Sequence, residues 1–168
     1  MDLLEDAFPF SKTALKGKHA LVFGASKGIG AATAKMMAMA GANVTMCARN
    51  ETTLAELKSE MIKFSDGNIN YCSIDLEQLS SIETIIDKIL TEYGPVHILV
   101  NNSGGPPGGP LLDNTVEDFH APFTRHLHAA HQITKQLVPQ MEAQSYGRII
   151  QIISTSVKEP IPNLGLSN

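Results

Sequence analysis

Three glycines stand out first for the ligand their placement would admit. Gly24-Ala-Ser-Lys-Gly-Ile-Gly30 follows directly on the apolar run Ala20, Leu21, Val22 and Phe23. Gly24, Gly28 and Gly30 lack a Cβ, so the chain can turn sharply and an anion can approach its backbone. The N–H groups that open the next helix then point at that anion. The chemistry implied is capture of a dinucleotide pyrophosphate, with Ser26, Lys27 and Ile29 sharing the site. The spacing differs from the best-known Gly-x-Gly-x-x-Gly fingerprint, so context carries the reading. A strand precedes the turn, and Ala31, Ala32 and Ala34 let the helix after it lie close on a sheet.

Periodicity gives the framework around this loop. Val44 to Cys47 reads as a second strand, and Leu54, Leu57 and Met61 recur at helical spacing from about Glu51. Ile69 to Ile74 alternates as a third strand. Ile82, Ile85, Ile86, Ile89 and Leu90 make one apolar helix face, closed by Gly94-Pro95. Val96 to Val100 is a nearly continuous apolar run, as expected of a parallel strand covered on both faces. A Gly/Pro-rich loop, residues 104–110, leads to a long helix beginning near Thr115, where Thr115 and Asp118 have capping-box spacing. Arg148 to Ile153 is strand five. Alternating strands and helices predict an α/β fold: an open, doubly wound parallel sheet with its ligand at the carboxyl ends of the strands. Residues 1–16 read as an exposed arm, with Phe8 and Phe10 as docking side chains, and residues 17–168 as one dinucleotide-binding domain.

Composition excludes other classes. The chain has 168 residues, 43% of them hydrophobic, and a formal charge of −4 with no Lys/Arg block, which argues against nucleic acid or anionic lipid as partner. No run approaches the roughly 18 apolar residues of a membrane span, and the first residues lack a secretory pattern, so a cytoplasmic location is expected. Cys47 and Cys72 fall in predicted strands and are expected to be reduced thiols without chemistry. His128 and His131 lack evident partners for a metal, and no metal site is expected.

From about residue 17 to 168 the chain resembles the short-chain dehydrogenase/reductase family, with its motifs in order. Gly24 to Gly30 is similar to the family's glycine motif, and Asp75 after strand three to its adenine-contacting Asp, with Leu76 beside it. Asn101-Asn102-Ser103-Gly104 resembles its Asn-Asn-Ala-Gly, and residues 147–154 resemble the strand ending in its catalytic serine, here Ser154. The resemblance implies a Rossmann-like fold, cofactor contacts from Asn102, Ser103 and Gly104, and a small carbonyl or alcohol substrate. Taken singly, Asp75 also reads as a turn cap, Asn101 and Asn102 as loop residues and Ser154 as a strand-end hydroxyl, and together those plainer readings lose weight.

An NAD-type pocket places an acid near the end of strand two, but that position is Ala48 and Arg49 follows. Arg49 suits a ribose 2′-phosphate through its planar fork, and Lys27 adds a second positive charge. NADP(H) is therefore the expected cofactor, against the plainer reading of both as solvated surface.

Two departures concern the chemistry. The family's proton-donating tyrosine, thirteen residues after its serine, falls on Ser167, whose hydroxyl is a far weaker acid than a phenol of pKa about 10. The accompanying lysine would lie at position 171. His126 stands where the family has a relay asparagine, and could carry protons or simply pack. The family fold continues with a further helix and two more strands, so the chain is expected to be an incomplete piece of it, with strand five an open edge and the full-length form a homo-oligomer. The expected function is an NADPH-dependent oxidoreductase using Ser154, His126 and Ser167. The alternatives are an NADP(H)-binding module without turnover and a structural subunit.

Overall fold

The computed structural model describes residues 10–167. Phe8 lies outside them, and Phe10 is 63% exposed. Leu15 packs on the core, and its N–H donates to Ala40 O at 2.8 Å.

Five strands, β1 (His19–Phe23), β2 (Asn43–Ala48), β3 (Ile69–Ser73), β4 (Ile98–Asn101) and β5 (Arg148–Gln151), form one sheet in the order β3-β2-β1-β4-β5. Every pairing is parallel, with Ala20 opposite both Val44 and Ile98. The helices are α1 (Gly28–Met39), α2 (Glu51–Met61), α3 (Leu79–Tyr93) and α4 (Ala129–Ala143). The chain leaves β1 toward β2 on one side, and β4 sits on the other, so the strand order reverses between β1 and β4. In such sheets that reversal opens a crevice beyond the strands' carboxyl ends.

Apolar side chains alternate across the sheet. Ala20, Val22, Val44, Met46 and Val100 pack with Ala34, Ala38, Leu54 and Met61 of α1 and α2. Leu21, Phe23, Cys47 and Leu99 face Ile82, Ile86, Ile133 and Leu137 of α3 and α4. All four residues of β4 are buried, as a strand with neighbours on both edges and helices on both faces must be. Those of β5 are exposed.

Strand two spans Asn43–Ala48 and strand three ends at Ser73, each within a residue of expectation, and three other boundaries differ more. Strand four begins at Ile98 rather than Val96, and strand five ends at Gln151 rather than Ile153, because Ser154 opens a short 3₁₀ turn, Thr155–Val157. The long helix starts in pieces. The Asp118 carboxylate accepts from the Thr115 N–H at 2.8 Å and from its hydroxyl at 3.0 Å, which is one half of a capping box. A 3₁₀ turn (Glu117–Phe119), a helical turn (His120–Phe123) and a π-helical segment (Thr124–His128) precede α4. Glutamines at four-residue intervals then fasten α4: Gln132 donates to Leu79 O, Gln136 to Glu83 O, and Gln140 and Gln144 both to Val96 O.

Candidate cofactor cleft and active site

At the carboxyl ends of β1 to β4 lies a cleft of about 670 Å³. Its walls include Gly24, Ser26, Lys27, Gly28 and Ile29 from the glycine loop, Arg49 after β2, Asp75 and Leu76 after β3, and Asn102, Ser103 and Gly104 after β4. Gly30 lies just behind, buried. The structure thus brings together segments 80 residues apart in the chain.

The glycines serve different ends. A Cβ on Gly24, at φ +60°, would stand 2.5 Å from Asn102 Nδ2, and one on Gly30 would stand 2.3 Å from Gly24 O. These two permit close packing of loop, helix and β4. Gly28 has φ +57° with open space around a would-be Cβ, so it turns the backbone without crowding it. Asn102 Nδ2 donates to the carbonyls of Phe23 at 3.3 Å and Gly24 at 3.4 Å, tying β4 to the loop. No side chain among the described residues caps the start of α1, whose N-cap, Lys27, is extended. That leaves the first N–H groups of the helix available to an anion at its positive end.

Arg49 is held by its backbone. Its carbonyl accepts from Ser73 Oγ at 3.1 Å, and Asn50 caps α2 by accepting from Thr53 N–H at 3.0 Å. Its exposed guanidinium and the Lys27 ammonium are in no ion pair among the described residues. Asp75 does cap a turn, accepting from Glu77 N–H at 3.1 Å through Oδ1, and it also lines the cleft.

A smaller cavity of about 50 Å³ adjoins, lined by Asn101, Ser103, Arg125, His126, Gln151 and Ile153 among others. Ser103 Oγ lies 2.9 Å from His126 Nδ1 and 3.2 Å from Nε2, and Nε2 lies 3.2 Å from Gly104 O. A carbonyl only accepts, so Nε2 carries hydrogen in that contact. Partial burial and the neighbouring Arg125 charge lower the His126 pKa from 6.5, opposed by the Gly104 carbonyl. The ring sits on the π-helical segment, where one extra residue per turn re-aims side chains.

Ser154 and Ser167 form a separate group. Ser154 Oγ accepts from the N–H of Ser156 at 3.1 Å and lies 2.7 Å from Ser156 Oγ, which donates to Ser167 O at 3.0 Å. Ser167 therefore approaches Ser154 through its carbonyl. Among the described residues no hydrogen bond joins His126 to Ser154, and no group of three His, Cys, Asp or Glu side chains could hold a metal. The far end of the 104–110 loop is fastened, Gly109 N–H donating to Asn163 O at 2.7 Å and Gly165 N–H to Gly109 O at 3.0 Å.

Sequence reasoning missed Asn50, Thr53, Arg125 and Ser156. Asn50 before a helix, with Thr53 three residues on, was a readable capping signal. Arg125 lines both cavities, its Nε buried and 3.5 Å from Glu77 Oε1, and Ser156 is 2% exposed. No sequence pattern marks either.

The family model for short chain dehydrogenase matches residues 18–166. A short chain dehydrogenase of Pseudocercospora fijiensis is 35% identical over 151 residues, covering 88% of this chain and 48% of that protein. A metagenomic short-chain oxidoreductase solved in complex with NADP is 32% identical, with TM-score 0.83 over 91% of this chain and 69% of the other. A 3-oxoacyl (acyl-carrier-protein) reductase from Agrobacterium tumefaciens, solved with NADP bound, is 28% identical, with TM-score 0.84 over 99% of this chain and 62% of that one. The chain spans about half the length of the curated relatives it matches.

Proposed function

The chain belongs to the short chain dehydrogenase family, and from that premise we propose that it holds NADP(H) in the cleft of an oxidoreductase acting between a small carbonyl compound and its alcohol. The observation that carries this is the pairing of an uncapped helix start at Gly28 with two cleft-lining cations, Lys27 and Arg49, that are in no ion pair among the described residues. The N–H groups of Gly28, Ile29 and Gly30 would hold a pyrophosphate. Arg49 and Lys27 would bind a ribose 2′-phosphate, and Ala48 presents no carboxylate to repel it. Asp75 and Leu76 would hold the adenine. Asn102 holds the glycine turn in shape, and Ser103 and Gly104 would hold the nicotinamide half. The two solved relatives with NADP support the same choice of cofactor.

When bound, the nicotinamide supplies or accepts hydride. This chain's residues bind and orient the reactants and move the proton. Ser154 hydrogen-bonds the substrate oxygen, favouring the charge that builds there as hydride arrives. His126, neutral near pH 7 because its pKa is lowered, takes or returns a proton at Nδ1 through Ser103. Ser167 shapes the site through its carbonyl.

The test is titration of the purified chain with NADPH and NADH, followed by NADPH oxidation over a panel of ketones. Binding of NADPH tighter than NADH, and turnover that falls in Ser154→Ala, are the expected results. Equal affinity for the two dinucleotides would overturn the cofactor assignment, and unchanged turnover in Ser154→Ala the role of Ser154. A second reading, an NADP(H)-binding module that turns over nothing, is favoured by Ser167 meeting the Ser154 group with a carbonyl rather than an acidic hydroxyl. Tight NADPH binding with no oxidation of it by any ketone would select that reading.

A further inference from the structure

Ser156 is buried to 2% exposure beside the hydroxyl that binds the substrate oxygen, and no step so far uses it. A serine hydroxyl has one hydrogen to donate and two lone pairs to accept with. Ser156 Oγ has two partners, Ser154 Oγ at 2.7 Å and Ser167 O at 3.0 Å. The Ser167 carbonyl only accepts. The one hydrogen of Ser156 can go to either acceptor.

With Ser156 donating to Ser154, the Ser154 oxygen accepts from the hydroxyl and the N–H of Ser156, at 2.7 and 3.1 Å. Both its lone pairs are engaged, and its own hydrogen points outward. With Ser156 donating to Ser167 O instead, one Ser154 lone pair is released to the outside. The first arrangement suits a ketone, whose oxygen needs a donor. The second suits an alcohol, whose hydroxyl hydrogen needs an acceptor.

We propose that Ser156 is a positioning residue whose hydroxyl, turning between Ser167 O and Ser154 Oγ, sets whether Ser154 accepts from an alcohol or donates to a carbonyl. The proposal rests on the reading of Ser154 as the group that binds the substrate oxygen. In both arrangements Ser156 is the donor, and only its proton's direction changes. Burial excludes water, which would otherwise compete for either bond.

The experiment compares the full chain with Ser156→Ala, using two readouts. The first needs no turnover: the Hα–Hβ couplings of Ser154 by NMR, which report whether its side chain holds one rotamer. Wild type shows one rotamer and Ser156→Ala an average over several. The second is steady-state kinetics with NADPH and ketone, and with NADP and alcohol. In Ser156→Ala kcat falls roughly ten- to a hundredfold in both directions while the KM for NADPH stays unchanged. Ser156→Cys, near in size with a weak donor, answers the same question if the alanine variant does not fold. A single Ser154 rotamer in the folded variant, or an unchanged kcat, overturns the proposal. If wild type turns over no ketone, the oxidoreductase reading fails, and the couplings still decide whether Ser156 positions Ser154.

Discussion

Gly30 sits so near Gly24 that a methyl group on it would stand 2.3 Å from the Gly24 carbonyl oxygen, while a methyl group on Gly28 would meet nothing within 4 Å. The two glycines of one loop therefore fail differently when replaced. Gly30→Ala forces the loop off β4 and costs about 1–3 kcal/mol as overpacking, with loss of NADPH binding. Gly28→Ala meets only its left-handed φ of +57°, at about 1–2 kcal/mol, and keeps the loop against Asn102. Urea unfolding and NADPH titration of both variants check this. Equal loss of the Gly24 to Asn102 packing in the two would contradict it.

Arg49 is exposed and its backbone is pinned by Ser73 and Asn50, so replacing its side chain removes charge without moving the chain. Arg49→Ala weakens NADPH binding roughly tenfold and leaves NADH binding unchanged, the loss being at the lower end for a charge-assisted bond because the site is open to solvent. The NADPH preference of wild type shrinks with added salt. Calorimetric titration at two ionic strengths reads both effects, and an equal loss for NADH would show that Arg49 does not face the 2′-phosphate.

The lining of the cleft was legible because its signals are local. Gly24 to Gly30, Arg49 and Asp75 each stand at the end of a strand whose apolar pattern announces it, and parallel pairing brings those ends together. What was not legible lies in contacts between side chains far apart in sequence. Ser156 looks like any loop serine until Ser167, eleven residues on, folds back over it. Gln132, Gln136, Gln140 and Gln144 repeat every fourth residue, yet their carbonyl partners lie 44 to 53 residues away. The start of the long helix was placed near Thr115 from a half-formed capping box, and no propensity marks the π-helical segment that carries His126.

The Val96 carbonyl accepts from two glutamines, Gln140 at 2.7 Å and Gln144 at 2.9 Å. Either can serve alone, so Gln140→Ala costs only about 0.5–1.5 kcal/mol. Removing both leaves a buried acceptor without its side-chain donors, and the double variant loses more than the sum of the singles. A double-mutant cycle by chemical unfolding measures the coupling. Strict additivity would mean that water takes over the carbonyl.

Arg125 helps hold His126 neutral, since its charge adds to burial in lowering the imidazole pKa from 6.5. Ketone reduction that takes its proton from His126 therefore rises as pH falls below 6.5. Arg125→Gln removes one depressing cause, so the rise begins at higher pH. Rate profiles between pH 5 and 8 for the two proteins, as conditions on the order of the histidine range, test the role. A wild-type profile that is flat, or a limb that does not move in the variant, would take His126 out of the proton path.

His19 and His97 make the fold itself acid-sensitive. His19 is 3% exposed, with Nε2 2.8 Å from Thr45 Oγ1, and its backbone N–H donates to His97 Nδ1 at 3.1 Å. Burial lowers the pKa of both rings from 6.5; each is lowered further by a neighbour's positive charge, that of His97 when protonated for His19 and that of Lys18 for His97, against backbone carbonyls that raise them. A lowered folded-state pKa means that the unfolded chain binds protons first as pH falls. The neutral rings' contribution is thus complete above 6.5 and is lost progressively below it, toward the folded-state values. Protonated His97 also has no lone pair at Nδ1 for the His19 N–H. The urea midpoint accordingly falls from pH 7 to pH 5, and His97→Asn, which keeps an acceptor without a titrating ring, reduces the slope. A midpoint that holds level across that range in wild type would show that neither ring is kept neutral by the fold.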